Sequence, residues 1–398
     1  MKIFKFFPAF LAIALLMSLF SPVALALEGP KLTAQAVLLA DLEGGTILYE
    51  QNADAARSPA SLTKVMTVLL ALEAVERGQV SLDDVITAGD DCRRGMRDDS
   101  SSVDLSPGEQ MTLGDLLYCA AVSSGNDACN VIASAIAGDI PSFVEYMNRR
   151  AQGLGCSQTH FVDPHGLSYD DQTSARDLYR ITLEALSHPA FWDFCDCREH
   201  IVPATNRSGE RHLYTSNALL DSEGIYGDRY VYEGAHGVKT GYTRAAGYCL
   251  ISTVERNGLR LLAIVLGSDG PYLSDTETRY SFVDSAKLYD WAFETFTEQQ
   301  LCTRGQVLSR QEIQTEHGAR ELCLLSGESF SALFPRGEQP RLELELPPGI
   351  LEGPILAGQP LGRARFRVDG CEYGSVLLLA DRTVPDTLLP DLMRAIFR

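Results

Sequence analysis

The sequence predicts an α/β (α+β) chain, a mixed helical and stranded domain that closes near Phe296 and is followed by a small β-rich domain. Three observations carry this reading. Strand-like apolar runs stand near both ends of the first region, at 34–40 with 46–50 and at 247–255 with 259–266. Between them lie stretches with helical character, at 65–74, 128–137, 142–152 and 174–186. From Thr297 onward, short β-like runs alternate with Gly and Pro turns.

The first two runs join at Glu43-Gly44-Gly45 as an opening hairpin. Pro59 stands where a first helical turn tolerates proline. Ser61 then lies near a helix N-terminus, with Lys64 three residues on and on the same face. The stretch 80–106 is loop-rich. Its Asp98-Asp99-Ser100-Ser101-Ser102 run reads as a solvated surface loop without a specific role. Thr112 is a helix cap ahead of the stripe Leu113, Leu116 and Leu117. Gly125 ends that helix, and Asp127 caps the next one.

Later in the chain, 231–238 leads into Lys239-Thr240-Gly241-Tyr242. Asn257-Gly258 marks a tight hairpin between two apolar strands. The stretch 277–296 is an amphipathic helix carrying Phe282, Leu288, Trp291 and Phe293. Beyond it, 321–325, 342–346, 363–368 and 375–379 are the β-like runs. The tail 385–398 sets Leu388, Leu392, Ile396 and Phe397 on one side, beside Arg394 and Arg398. That pattern suits a weak interfacial helix or one docked on its own domain.

Composition limits the function. The chain has 398 residues, 45% hydrophobic, enough for two domains. A net charge of -19 with no basic patch argues against nucleic acid. Residues 1–26 read as a signal peptide: Lys2 and Lys5, an apolar core at 10–20, then Ala24-Leu25-Ala26 as the cleavage site. The mature protein is therefore expected to be extracytoplasmic. Ten cysteines permit disulfides there, but none of their spacings is a zinc pattern, since Cys195-Asp196-Cys197 lacks a second pair. Cys119, Cys129 and Cys249 sit in apolar runs and read as buried thiols. Lysine is scarce: Lys31, Lys64, Lys239 and Lys287 are the four beyond the signal segment. Lysine can lose its proton when buried and arginine cannot, so a chain rich in arginine keeps lysine where that property matters.

Three segments stand out: Ser61-Leu62-Thr63-Lys64, Ser124-Gly125-Asn126 and Lys239-Thr240-Gly241. Alone, the first reads as a helix cap and a solvated lysine. Together and in this order, the three resemble the Ser-x-x-Lys, Ser-x-Asn and Lys-Thr-Gly set of penicillin-binding proteins. The chain is identified as a member of the serine D-alanyl-D-alanine carboxypeptidases, the low-molecular-mass penicillin-binding proteins. The likeness extends to Arg57–Thr67, to Phe161-Val162-Asp163-Pro164-His165-Gly166-Leu167, to Gly237–Thr243 and to the β-rich tail near Gly353 and Gly358. It implies a β-lactamase-like transpeptidase domain over 27–297, with an antiparallel sheet and a helical subdomain, then a β-rich domain over 298–384. Two departures are Gln172-Thr173-Ser174-Ala175, where a His-Tyr-Ser-Thr-Ala-like run is expected, and the long stretch 221–233.

The chemistry suits that family. Attack on a peptide carbonyl needs an activated hydroxyl, a proton acceptor, an oxyanion site and a hold on the substrate. Ser61 supplies the hydroxyl. Lys64, desolvated and near a second cation, takes the proton when neutral. Ser124 relays a proton to the leaving amine, and Asn126 donates to the substrate amide. Lys239 and Thr240 meet a terminal carboxylate, with Gly241 beside them. By resemblance, the backbone N–H groups of Ser61 and Tyr242 form the oxyanion site. The resemblance implies a D-Ala-D-Ala peptidoglycan stem peptide as substrate and β-lactams as inhibitors. It implies no cofactor and no metal. Weak membrane contact would come through the tail. Pro164-His165-Gly166 reads as a turn, and Arg244 as either a carboxylate contact or a solvated strand-end residue. Rival readings are a β-lactamase, against which Gly125 and the β-rich tail argue, and a non-catalytic envelope protein. The intact Ser61, Lys64, Ser124, Asn126 and Lys239 speak against the latter.

Overall fold

The computed structural model describes residues 28–220, 223, 226–269, 278–315, 318–347, 354–368 and 371–384. The expected signal peptide and interfacial tail lie outside the described residues, as do Glu277 and part of 221–233. One compact unit spans Lys31–Phe296, and another takes in Thr297–Arg398.

The first unit opens with β1 (Ala36–Asp41) and β2 (Ile47–Gln51). A single 3₁₀ turn, Ala60–Thr63, runs straight into α1 (Lys64–Glu76). The short strands β3 (Val85–Thr87) and β4 (Gln110–Thr112) precede α2 (Leu113–Ala121), α3 (Asn126–Ala137), α4 (Ile140–Gly153), α5 (Ala175–Leu186) and α6 (Pro189–Cys195). A second short pair, β5 (Glu199–Val202) and β6 (Arg211–Tyr214), leads to the long strands β7 (Ala235–Thr243), β8 (Gly247–Arg256) and β9 (Leu259–Ser268). The helix α7 (Tyr280–Thr295) closes the unit.

The main sheet runs β2-β1-β9-β8-β7 with every pair antiparallel, so first and last strands of the unit meet in one sheet. All six residues of β1 are buried: five form an apolar run, and the Asp41 carboxylate accepts from Glu43 N and Gly44 N in the turn that follows. The β8–β9 turn has Asn257 at φ 54 and Gly258 at φ 82, the positive pair that a tight two-residue hairpin demands.

Residues 64–74 of α1 are all buried, because a helix apolar on every side belongs inside the core. Each of its leucines contributes about 1.5–3 kcal/mol by leaving water. The surrounding helices are capped as their sequences dictate. Thr112 accepts from Asp115 N at 3.1 Å, Asp139 from Ser142 N at 2.7 Å and Ser174 from Asp177 N at 3.1 Å. Leu113, Leu116 and Leu117 form the buried stripe of α2.

The structure departs from the sequence reading in several places. Gly125, not Asp127, is the N-cap of α3, and it caps with no side chain. Asp127 lies inside the first turn and turns its carboxylate outward to another loop. The loop-rich stretch 80–106 contains β3, and α6 was not foreseen. Cys119, Cys129 and Cys249 are buried free thiols, as expected.

The unit from Thr297 is all β among its described residues. β10 (Phe296–Cys302) starts at the boundary, followed by β11 (Val307–Thr315), β12 (Gly318–Ser326), β13 (Phe330–Pro335), β14 (Arg341–Glu345), β15 (Pro360–Val368) and β16 (Cys371–Ala380). Five of these form a sheet in the order β11-β12-β16-β15-β14, and β10 pairs with β13. Its core includes Ile313, Leu322, Leu324, Phe366 and Leu378. Four strands read from sequence are thus joined by three more, β10, β11 and β13.

Candidate active site

Ser61 sits in the 3₁₀ turn that feeds α1, one residue after Ala60, whose φ is 48. A non-glycine residue in that region is strained, and the surroundings hold it there. The Gly166 turn packs so closely that a Cβ on Gly166 would come within 1.8 Å of Ala60 O. On the other side passes β7, where a Cβ on Gly241 would lie 3.2 Å from Ser61 N. Ser61 is thus clamped between a turn and a strand that both come near because they carry glycine.

Lys64 starts α1, and its side chain is fully buried. Nζ lies 2.8 Å from Ser61 Oγ, and it donates to Asn126 Oδ1 at 2.7 Å and to His165 O at 2.9 Å. The last two oxygens only accept, so two N–H groups are committed to them. The remaining tetrahedral direction faces Ser61 Oγ. Burial pushes the Lys64 amine below its ordinary range, against the pull of nearby acidic groups such as Asp163 and Asp127. The geometry and the shift both fit a neutral amine that receives the Ser61 proton.

Ser124, at φ 59, and Asn126 stand at the junction of α2 and α3. The junction is pinned from outside α3. Asp127 accepts from Val103 N, Leu105 N and Ser102 Oγ at 3.1, 2.9 and 2.6 Å, and from Ala128 N at 3.0 Å. Asn126 N donates to Ser101 O at 3.0 Å. The Asp98–Ser102 run, read from sequence as solvent-facing and without a role, is instead tied to the second motif.

Lys239 lies on β7, only 3% exposed, with Nζ donating to Thr240 O at 3.1 Å. Burial, and then the charge of Lys64, push its amine down to about 7. Thr240 Oγ1 hydrogen-bonds Ser216 Oγ. The Tyr242 ring packs on Tyr248 with centroids 4.5 Å apart.

These pieces meet at one cleft of about 470 Å³. Ser61, Ser124, Asn126, Thr240, Gly241 and Tyr242 line it, and Lys64 and Lys239 lie behind its wall. Arg244 is on the wall as well. So are Arg97, Asp99, Tyr169, Ser216 and Arg279, to which the sequence reading assigned no role, and Tyr226, from the stretch 221–233 already set apart as a departure at the substrate edge. A solvated run and an insertion look alike whether or not they border a cleft.

The family model described as D-alanyl-D-alanine carboxypeptidase, peptidase S11, matches residues 24–270. This chain belongs to that family. The D-alanyl-D-alanine carboxypeptidase DacC of Escherichia coli is 32% identical over 368 residues, 88% of this chain and 85% of the relative. Penicillin-binding protein 5 from Haemophilus influenzae superposes with a TM-score of 0.70 at 29% identity, over 90% of this chain and 99% of that one. Penicillin-binding protein D2 from Listeria monocytogenes, in an ampicillin-bound form, has a TM-score of 0.55 at 30% identity, over 67% of this chain and all of that one.

Both departures of this carboxypeptidase from its family pattern have a place in the fold. Thr173 pairs with Arg57 through the backbone, at the head of the Arg57–Thr67 segment, and Gln172 with His160. Tyr226, from the long stretch 221–233, reaches the cleft wall. Elsewhere, Glu73, Glu184 and His188 bring potential metal-ligand atoms within 4.8 Å of one another. Arg150 bonds both glutamates there and already supplies the positive charge.

Proposed function

We propose that this protein removes the terminal D-alanine from peptidoglycan stem pentapeptides through an acyl-enzyme on Ser61. The observation that carries this reading is the 2.8 Å approach of a buried, desolvated Lys64 amine to Ser61 Oγ at the floor of an open cleft.

In this reaction Ser61 Oγ attacks the carbonyl carbon of the penultimate D-alanine as its proton passes to Lys64 Nζ. The backbone N–H groups of Ser61 and Tyr242 hold the oxyanion, each worth about 2.7–4 kcal/mol in the transition state. The tight approach of Gly241, the residue before Tyr242, to Ser61 N favours that arrangement. Ser124 passes a proton to the leaving amine as the C–N bond breaks. Asn126 Oδ1 is taken by Lys64, so its role toward the substrate amide is that of N–H donor. Lys239 and Thr240 hold the terminal carboxylate. Water then cleaves the ester by the reverse proton path.

Penicillins acylate the same serine in this reading. The test is mass spectrometry of the purified protein after penicillin, with D-alanine release from a D-Ala-D-Ala peptide measured alongside. An adduct on Ser61 and released D-alanine are expected. Covalent labelling that survives Ser61→Ala overturns the proposal.

The place of action is outside the cytoplasmic membrane, which the signal-like segment 1–26 favours. The tail 385–398 gives weak peripheral membrane contact. Deleting 387–398 is expected to move the protein into the soluble fraction, and unchanged fractionation refutes the contact.

A further inference from the structure

Behind Lys64 lie two carboxyl groups that the reaction above does not use. Asp163 heads the turn that supplies His165 O to Lys64 Nζ. Its carboxylate accepts from the backbone N–H groups of His165, Gly166 and Ser168, and the His165 ring Nδ1 stands 3.0 Å away. The same turn is fastened to α1 again where Thr67 Oγ1 donates to Pro164 O at 2.6 Å. The whole turn is therefore built on Asp163, and Lys64 and Ala60 rest against it.

Asp171 is fully buried and meets the Asp163 carboxyl side chain to side chain. Its Oδ1 accepts from Val162 N at 2.8 Å, whereas its buried Oδ2 receives no hydrogen bond from any N–H or hydroxyl. Two carboxylates in contact away from water cannot both stay ionised. The oxygen without a donor is the one placed to carry a proton.

We propose that Asp163 and Asp171 share one proton, and that this acid pair is a positioning device that holds the His165 carbonyl on Lys64. Asp171 donates its O–H to the Asp163 carboxylate. Removing the proton sets two negative charges face to face and pushes the turn off α1. It also adds a negative charge near Lys64, which favours the ammonium form and works against a proton acceptor.

The charged and titratable groups near the pair are His165 on the turn, Lys64 on α1 and Cys129 on α3, with Asp127 beside Lys64 and His160 and Arg57 flanking through backbone pairing. Burial first, and then the Asp163 charge, push Asp171 well above the usual carboxylate range. Burial also acts upward on Asp163, but the His165 side chain and the turn N–H groups outweigh it, leaving this carboxyl below the usual range.

The inference rests on Lys64 as the proton acceptor of the proposed reaction. Its test is the second-order acylation rate with a fluorescent penicillin, for wild type and Asp171→Asn, from pH 6 to pH 9. Asparagine keeps the shape and an N–H donor but cannot titrate. The variant-to-wild-type rate ratio is expected to rise about tenfold across that range. Titration of Lys239 is common to both proteins and leaves the ratio. A constant ratio overturns the proposal. Infrared spectroscopy of the wild type gives a second arm that stands even if the variant fails to fold. A protonated-carboxyl band that is present at pH 6, where an ordinary aspartate is ionised, and fades as pH rises is expected, and its absence at pH 6 overturns the pair. If no protein is acylated at any pH, the reading of Ser61 fails instead, and the infrared band alone decides the pair.

Discussion

Asn126 Oδ1 accepts from Lys64 Nζ at 2.7 Å, across 62 residues of sequence. One bond joins the start of α1 to the start of α3, so first and second motif form one polar cluster in the core. The amine has no water to stabilise its charge and three fixed neighbours to orient its lone pair.

Lys64→Arg is therefore expected to abolish acylation. A guanidinium keeps its proton at any working pH, so it cannot receive one from Ser61. The loss should reach about 10²–10⁴-fold, the usual worth of a positioned base. The larger side chain in a full core costs about 1–3 kcal/mol of stability without preventing folding. Penicillin labelling beside a thermal melt reads both. A folded Lys64→Arg protein labelled at the normal rate would falsify the role.

Lys239 gives a pH prediction of definite sign. Its amine is pushed down to about 7, so the charge that attracts a terminal carboxylate is present below that pH and lost above it. KM for a D-Ala-D-Ala peptide is expected to rise about tenfold per unit once pH exceeds 7. Lys239→Arg holds its charge and should flatten the rise. A wild-type KM that stays level from pH 6 to 9 removes Lys239 from carboxylate binding.

Much of this site was legible because its signals are local. Thr112 caps α2, Asn257-Gly258 turns β8 into β9, and the apolar run after Lys64 fills the core. The rest depends on long-range contacts that leave no periodicity. Asp127 looks like a cap in sequence, but its carboxylate serves Val103 and Leu105, more than twenty residues back. Nothing in Asp98–Ser102 announces that Asp127 will bring this run to the cleft. Likewise Asp163 and Asp171 look like two ordinary loop acids until the chain folds them against each other.

Asp127→Ala tests that long-range tie. It strips an acceptor from the buried N–H groups of Val103 and Leu105 and from Ala128 N. Each unsatisfied donor costs about 1–3 kcal/mol, so a total loss of about 3 kcal/mol or more is expected in urea unfolding. Acylation should also slow, because the loop lining the cleft loses its anchor. Asp127→Asn keeps one acceptor oxygen and should lose less on both counts. Equal stability of Asp127→Ala and wild type rejects the anchoring role.

Two glycines flank Ser61, and their replacement should separate folding from chemistry. At Gly166, φ is 88 and an added Cβ would strike the backbone oxygen of Ala60 at 1.8 Å. Neither atom can move aside without shifting the turn under Ser61, so Gly166→Ala should destabilise by about 4 kcal/mol or more, within the exceptional range for one substitution. At Gly241 the added Cβ would meet Ser61 N at 3.2 Å and the Ala60 and Leu62 side chains at 3.3 Å. A few tenths of an ångström of movement accommodates it, so Gly241→Ala should fold. That movement falls on the Ser61 N–H and on the spacing between Ser61 and β7, where small displacements are costly to a reaction that depends on alignment. A drop in acylation rate of about 10–100-fold, with the melting temperature changed by only a few degrees, is expected. If Gly241→Ala acylates at the wild-type rate, the close approach of β7 serves packing alone and contributes nothing to holding the oxyanion.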